Sequence, residues 1–265
     1  VEEKSSDQIE LSGGYGGAGP TGSGRVIGTL GLTFNNFSTK NFFKKSAWSP
    51  LPGGDGQRLS IRAQSNGRFY QGYTFSFTEP WLGGKKPNAL SFWLNNTALS
   101  SNGFIRTNPA YNGISITGVG VGLQRRKKFP DDYFTAYYEL SYQYYDVVND
   151  FRFPLFPKGF SNDIALKYVL QRSSVSAPIY PQSGSNFTLT AKSSLPYSYF
   201  QKGLDYSTMS IAEKYLYLEY FKFKFTGEWY LPLTANRKLV LMPRFGFGYI
   251  GAYTAAKGVT PFDRF

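Results

Sequence analysis

Two side chains that carry much of protein chemistry are missing, since the 265-residue chain has no His and no Cys. That excludes thiol nucleophiles, His-based triads, disulfides and the common structural zinc sites. The remaining candidates are few. Asp131-Asp132 is an acidic pair of the kind used in hydrolysis, but it stands beside Arg125-Arg126-Lys127-Lys128 and reads as a solvated, charge-balanced turn. Gly17-Ala18-Gly19-Pro20-Thr21-Gly22 matches a dinucleotide-binding pattern. That pattern works only where it opens a helix inside a βαβ unit. Here Arg25–Asn35 alternates as a strand does, so the glycines read as a flexible hairpin loop. No enzyme activity, cofactor or metal is expected. What is left is backbone chemistry. Ile9-Glu10-Leu11-Ser12-Gly13-Gly14-Tyr15 is strand-like but thinly apolar and glycine-rich. Glycine inside a strand weakens its pairing. This run is either a bend or bulge, or a strand that opens and exchanges partners, and both readings stand at this point.

The elements that would position such an edge show in the patterning. Aromatic residues make up 18% of the chain, charged residues only 17%, and the net charge is +12. A disordered chain would be poor in aromatics. No apolar run approaches the roughly 20 residues of a membrane helix. The charge fits nucleic acid, an anionic lipid surface or a basic pore lining. No nucleic-acid motif accompanies it, so nucleic acid is not expected. Period-two alternation recurs at 8–15, 25–35, 58–64, 73–78, 90–95, 114–124, 134–145, 163–171, 187–192, 216–231 and 239–249, giving eleven expected strands. In 163–171, Ile164, Leu166, Tyr168 and Leu170 oppose Asp163, Lys167 and Gln171. In 216–231, Phe221, Phe223, Phe225 and Trp229 oppose Lys222, Lys224, Thr226 and Glu228. A short amphipathic turn is expected over 41–48, and no long helix anywhere.

A soluble sandwich and a membrane barrel both alternate. Strands of this length, aromatic near their ends and polar on one face, fit a membrane band roughly 25 Å tall around a wet lumen. The reading is therefore all-β, a transmembrane antiparallel β-barrel. Bacterial single-chain barrels use an even number of strands, so eleven implies the first part of a larger barrel. The connectors at 96–112, 146–162 and 193–214 are expected outside the cell, and those at 36–57, 79–88, 125–132, 173–185 and 232–237 in the periplasm.

Several segments resemble one family in the expected order. Val1–Gly16 is similar to the junction between the last periplasmic POTRA domain and the first barrel strand of BamA-type outer-membrane assembly factors. Asn36-Phe37-Ser38-Thr39-Lys40-Asn41-Phe42-Phe43 resembles that family's first periplasmic turn, and Phe77-Thr78-Glu79-Pro80-Trp81 the turn after its fourth strand. Ile179-Tyr180-Pro181-Gln182-Ser183-Gly184-Ser185 resembles the turn before its ninth strand, and Pro261-Phe262-Asp263-Arg264-Phe265 the start of its sixth extracellular loop. The resemblance implies that 1–7 end the last POTRA domain or its linker, and that 8–265 hold about eleven of sixteen barrel strands. It implies insertion of β-barrel proteins into the Gram-negative outer membrane. The seam would open laterally, and Ile9 to Tyr15 would pair with incoming strands. Partners would be unfolded outer-membrane substrates, outer-membrane lipids, and accessory lipoproteins or other assembly-complex subunits. The competing readings are a related POTRA-barrel translocation or secretion transporter, and a passive channel in which Arg25, Arg58, Arg62, Lys222 and Lys224 select anionic solutes.

Overall fold

The computed structural model describes residues 7–16, 25–48, 51–84, 86–200 and 205–264. Each alternating run forms a strand, because alternation lets one face meet an apolar phase and the other a polar one. The strands are β1 (Gln8–Gly16), β2 (Arg25–Phe37), β3 (Gln57–Asn66), β4 (Tyr70–Glu79), β5 (Asn88–Ser100), β6 (Gly113–Arg126), β7 (Phe134–Val148), β8 (Gly159–Ser173), β9 (Gly184–Ser194), β10 (Phe221–Pro232), β11 (Val240–Leu241) and β12 (Arg244–Gly251). They pair antiparallel in chain order as one meander. β11 and β12 both pair with the same edge of β10. They are the single eleventh strand expected from sequence, interrupted at Met242-Pro243, where proline supplies no ladder donor.

Two stretches differ from expectation. Residues 216–220 do not begin β10; Leu218 and Tyr220 are instead fully buried beneath the connectors. The 195–220 connector also carries two short helices, α1 (Tyr197–Phe200) and α2 (Ile211–Lys214). Ser210 and Glu213 cap α2 reciprocally, satisfying backbone donors that a helix start leaves free. The turn expected at 41–48 holds a single 3₁₀ turn, Lys45–Ala47, and the Phe42 ring lies 5.4 Å from both Phe43 and Trp48. Of the expected POTRA junction, residues 1–6 lie outside the described residues, as does the glycine motif at 17–22.

The sheet curves onto itself. One cavity of about 630 Å³ is lined both by Thr74, Trp93 and Asn95 of β4 and β5 and by Lys222 and Lys224 of β10. This defines an inner face. Lys167 points inward, 3.6 Å from Glu139, while its neighbour Leu166 is 56% exposed on the outer face. The apolar face of β8 is thus the outer one, as its alternation predicts. At the rim with the longer connectors, inner residues Ile114, Tyr145 and Val147 meet Phe156, Leu218, Tyr220 and Phe262 in a buried cluster. Phe262 stacks on Tyr145 at 4.5 Å, so the connector after β12 folds back over the interior.

Candidate functional site

β1 pairs with β2 in one unbroken register, from Gln8↔Thr33 to Gly16↔Arg25. A bulge would shift that register, so the bulge reading of its glycines does not hold. Among the described residues β1 pairs with β2 alone. Ile9, Leu11 and Tyr15 lie on the outer face at 77%, 81% and 78% exposure. Gly13 stands opposite Gly28, so no side chains meet across that step. A Cβ at Gly13 would come no closer than 4.0 Å to Ile27 O, and one at Gly14 would meet nothing. These glycines are therefore not demanded by crowding; they leave the strand lightly held. The residues expected to form the pairing edge, Ile9, Glu10, Leu11, Ser12, Gly13, Gly14 and Tyr15, are contiguous and exposed.

Side-chain ties on the inner face of β1 are sparse. Arg62 of β3 donates to Glu10 at 3.0 Å, reaching across Gly31 of β2. A Cβ at Gly31 would stand 3.1 Å from Glu10 Oε2, so this glycine makes room for the pair. Both partners are about half exposed, where an ion pair contributes little. Farther along, the Asn35 backbone N–H donates to Asp7 Oδ1 at 3.1 Å.

The opposite wall is tied far more heavily, and sequence reasoning did not foresee how. Lys167, Lys192 and Lys222 stand directly opposite one another across β8, β9 and β10. Like charges in that arrangement repel. Carboxylates answer them: Glu139 beside Lys167 at 3.6 Å, Asp163 beside Lys192 at 3.5 Å, and Asp263 at 2.6 Å from Lys192 and 3.4 Å from Lys222. The Tyr220 hydroxyl lies 2.8 Å from both Asp163 and Asp263. Burial pushes the Asp263 carboxyl up, but the charge and hydrogen bond of Lys192 outweigh it and hold the group below the usual carboxylate range. Seventy-one positions separate Lys192 from Asp263, so no local pattern could signal the pair. Of the basic residues expected to line a pore, Arg58, Arg62, Lys222 and Lys224 share the inner face, but Arg62 and Lys222 are taken up by internal carboxylates. Asp131 of the acidic pair binds Arg172 at 2.9 Å, a charge-balanced turn as read from sequence.

Residues 53–265 match the Omp85 superfamily domain. The chain belongs to the Omp85 superfamily. Among solved structures it is similar to BamA from Haemophilus ducreyi lacking POTRA domains 1–3, with a TM-score of 0.61 and 17% identity. That likeness is one of fold; it covers 97% of this chain and 43% of the BamA chain. No curated protein matches by sequence comparison. As an Omp85 barrel the chain is an integral outer-membrane protein, and its outer apolar face is the lipid face. The resemblance read from Asn36–Phe43, Phe77–Trp81 and Pro261–Phe265 thus leads to the same barrel type as the fold.

Proposed function

We propose that this Omp85 chain belongs to a BamA-type barrel that inserts and folds β-barrel proteins into the outer membrane. The observation that carries the reading is the weak side-chain grip on β1: Gly13 and Gly14 have no side chain packed over them, Ile9, Leu11 and Tyr15 are exposed, and its ion pair to Arg62 is half exposed. An exposed strand edge recruits an extended segment by main-chain hydrogen bonds. The seam opens at β1, an incoming strand adds to it, and successive strands follow. Substrate folding supplies the free energy, so no catalytic residue and no cofactor take part. Unfolded outer-membrane proteins are the substrates, with accessory lipoproteins or other complex subunits as partners. The longer connectors, 101–112, 149–158 and 195–220, face outward from the cell, since outer-membrane barrels carry their longer loops on that side.

The test is a disulfide that locks β1 to the barrel strand along its other edge in the full-length protein. Reconstituted in liposomes, the locked protein is expected to stay folded and to stop assembling substrate, with activity returning on reduction. Leu11→Pro, which removes a main-chain donor and restricts φ, is expected to impair assembly more than Glu10→Ala. Assembly at the normal rate by the locked barrel would overturn lateral opening.

A further inference from the structure

Cross-strand register shows where the outer apolar band ends. On the outer face one row reads Phe75, Leu94, Val119, Tyr142, Ile164. Two residues nearer the long-connector rim it reads Tyr73, Asn96, Thr117, Tyr144, Asn162, and two farther on Gln71, Ala98, Ser115, Asp146, Phe160. Each step is about 7 Å along a strand, so the surface turns from apolar to polar over roughly 14 Å. The polar headgroup layer on each side of the roughly 30 Å hydrocarbon core is about 5–8 Å deep, so this change of surface spans the core's edge and the headgroups beyond it.

The 101–112 connector folds back over that last row, on the outer side of the sheet. Arg106 forms an ion pair with Asp146, which is itself buried. The Phe69 ring of the β3–β4 turn packs so closely on Gly103 that a Cβ there would lie 2.6 Å from it. The connector is braced internally: Ser101 N–H donates to Asn112 O at 2.8 Å, and Asn102 Nδ2 to Ala110 O at 2.5 Å. Between connector and sheet lies a preformed groove of about 230 Å³, lined by Arg68, Gln71, Ala98, Ile105, Arg106 and Ser115, among others. Arg68 is exposed and has no carboxylate partner among the described residues, and Arg106 remains half exposed beside Asp146. Two guanidinium groups therefore stand at the membrane boundary beside an apolar wall. Guanidinium forks match phosphate oxygens in paired hydrogen bonds and are weakly hydrated for a cation.

We propose that this groove binds the phosphorylated headgroup of an outer-leaflet lipid, with the phosphate on Arg68 and Arg106 and the start of the apolar portion against Ala98 and Ile105. Continuity with the lipid face and charge complementarity favour a lipid over free phosphate, which would gain nothing from the apolar wall. The inference rests on the outward orientation given above to this rim. That orientation is checked separately by labelling Thr107→Cys in intact cells, so failure of one is distinguishable from failure of the other.

The test uses full-length protein in neutral detergent with phosphatidic acid as the phosphomonoester lipid, read by native mass spectrometry. Arg68→Gln is expected to lower bound phosphatidic acid about tenfold, in line with the loss of one charge-assisted pair. Arg68→Lys, which keeps the charge and loses the fork, is expected to fall between the two. Lys238→Gln, in the turn at the opposite rim, is expected to bind as the parent does. Equal binding by Arg68→Gln and the parent would overturn the proposal, as would an equal loss in Lys238→Gln. Displacement of the lipid by inorganic phosphate at matching concentration would also overturn it, reassigning the groove to free oxyanions.

Discussion

In β6, Gly118, Gly120 and Gly122 lie beneath Asn95, Trp93 and Tyr137, and a Cβ at any of the three would collide with those side chains. In β1, Gly13 and Gly14 lie beneath nothing. The two runs look alike in composition and serve opposite ends. Glu139 accepts from Trp93 Nε1 at 3.2 Å and from the Tyr137 hydroxyl at 2.6 Å, which lays both rings over the bare β6 backbone. There glycine makes close packing possible and the wall rigid. In β1 it takes away side chains that would have gripped β2, and no partner fills the space. A glycine-rich strand is thus strong or weak according to what its neighbours place over it.

Substitution should separate the two cases most sharply. Gly120→Val forces Trp93 off its seat, and overpacking of this kind costs about 1–3 kcal/mol. Gly13→Ala meets no obstacle and removes a backbone-entropy cost of about 0.5–1 kcal/mol, so it is expected to stabilise the barrel while slowing substrate assembly. Denaturant unfolding of the two variants in the same lipid gives the comparison. If both destabilise equally, the contrast between the strands is lost.

A second contrast sets the β1 seam against the wall at β9 and β10. Asp263 ties the connector after β12 to Lys192 and Lys222. Because its folded-state pKa is depressed, this tie contributes its full stabilisation above the ordinary carboxylate range and loses it as pH falls through the lower, folded value. Hydrogen-exchange protection over 252–264, taken relative to the intrinsic exchange rate at each pH, is expected to hold from neutral pH to the usual aspartate range and to fall progressively as pH drops below that range toward the lower, folded value. Asp263→Asn is expected to be less protected than the parent near neutral pH, to converge with it at the acidic end, and so to flatten the profile. A parent protein whose connector loosens above the aspartate range would break the assignment.

The smallest effect belongs to the seam itself. Glu10→Gln removes an exposed pair worth at most about 1 kcal/mol, and added salt should erase the difference from the parent. A larger loss, insensitive to salt, would mean that side chains rather than backbone hold β1.

Alternation alone determined that the chain is a set of antiparallel strands, and which residues share each face. The pleat is a local property, and a period of two can be read wherever it occurs. Thus Leu166 and Lys167 were assigned to opposite faces correctly, and the β1 edge was legible as thin. Contacts between distant positions were not legible. Bare sequence treats Gly13 and Gly120 alike, since only the register of β5, β6 and β7 brings Trp93 and Tyr137 over the second. It shows Lys192 and Asp263 as unrelated charges, and Arg68 and Arg106 as residues of two separate turns. Closing the sheet and folding the connectors over its rim brought these groups together. The free energy of such contacts depends on distances in space that no local pattern encodes.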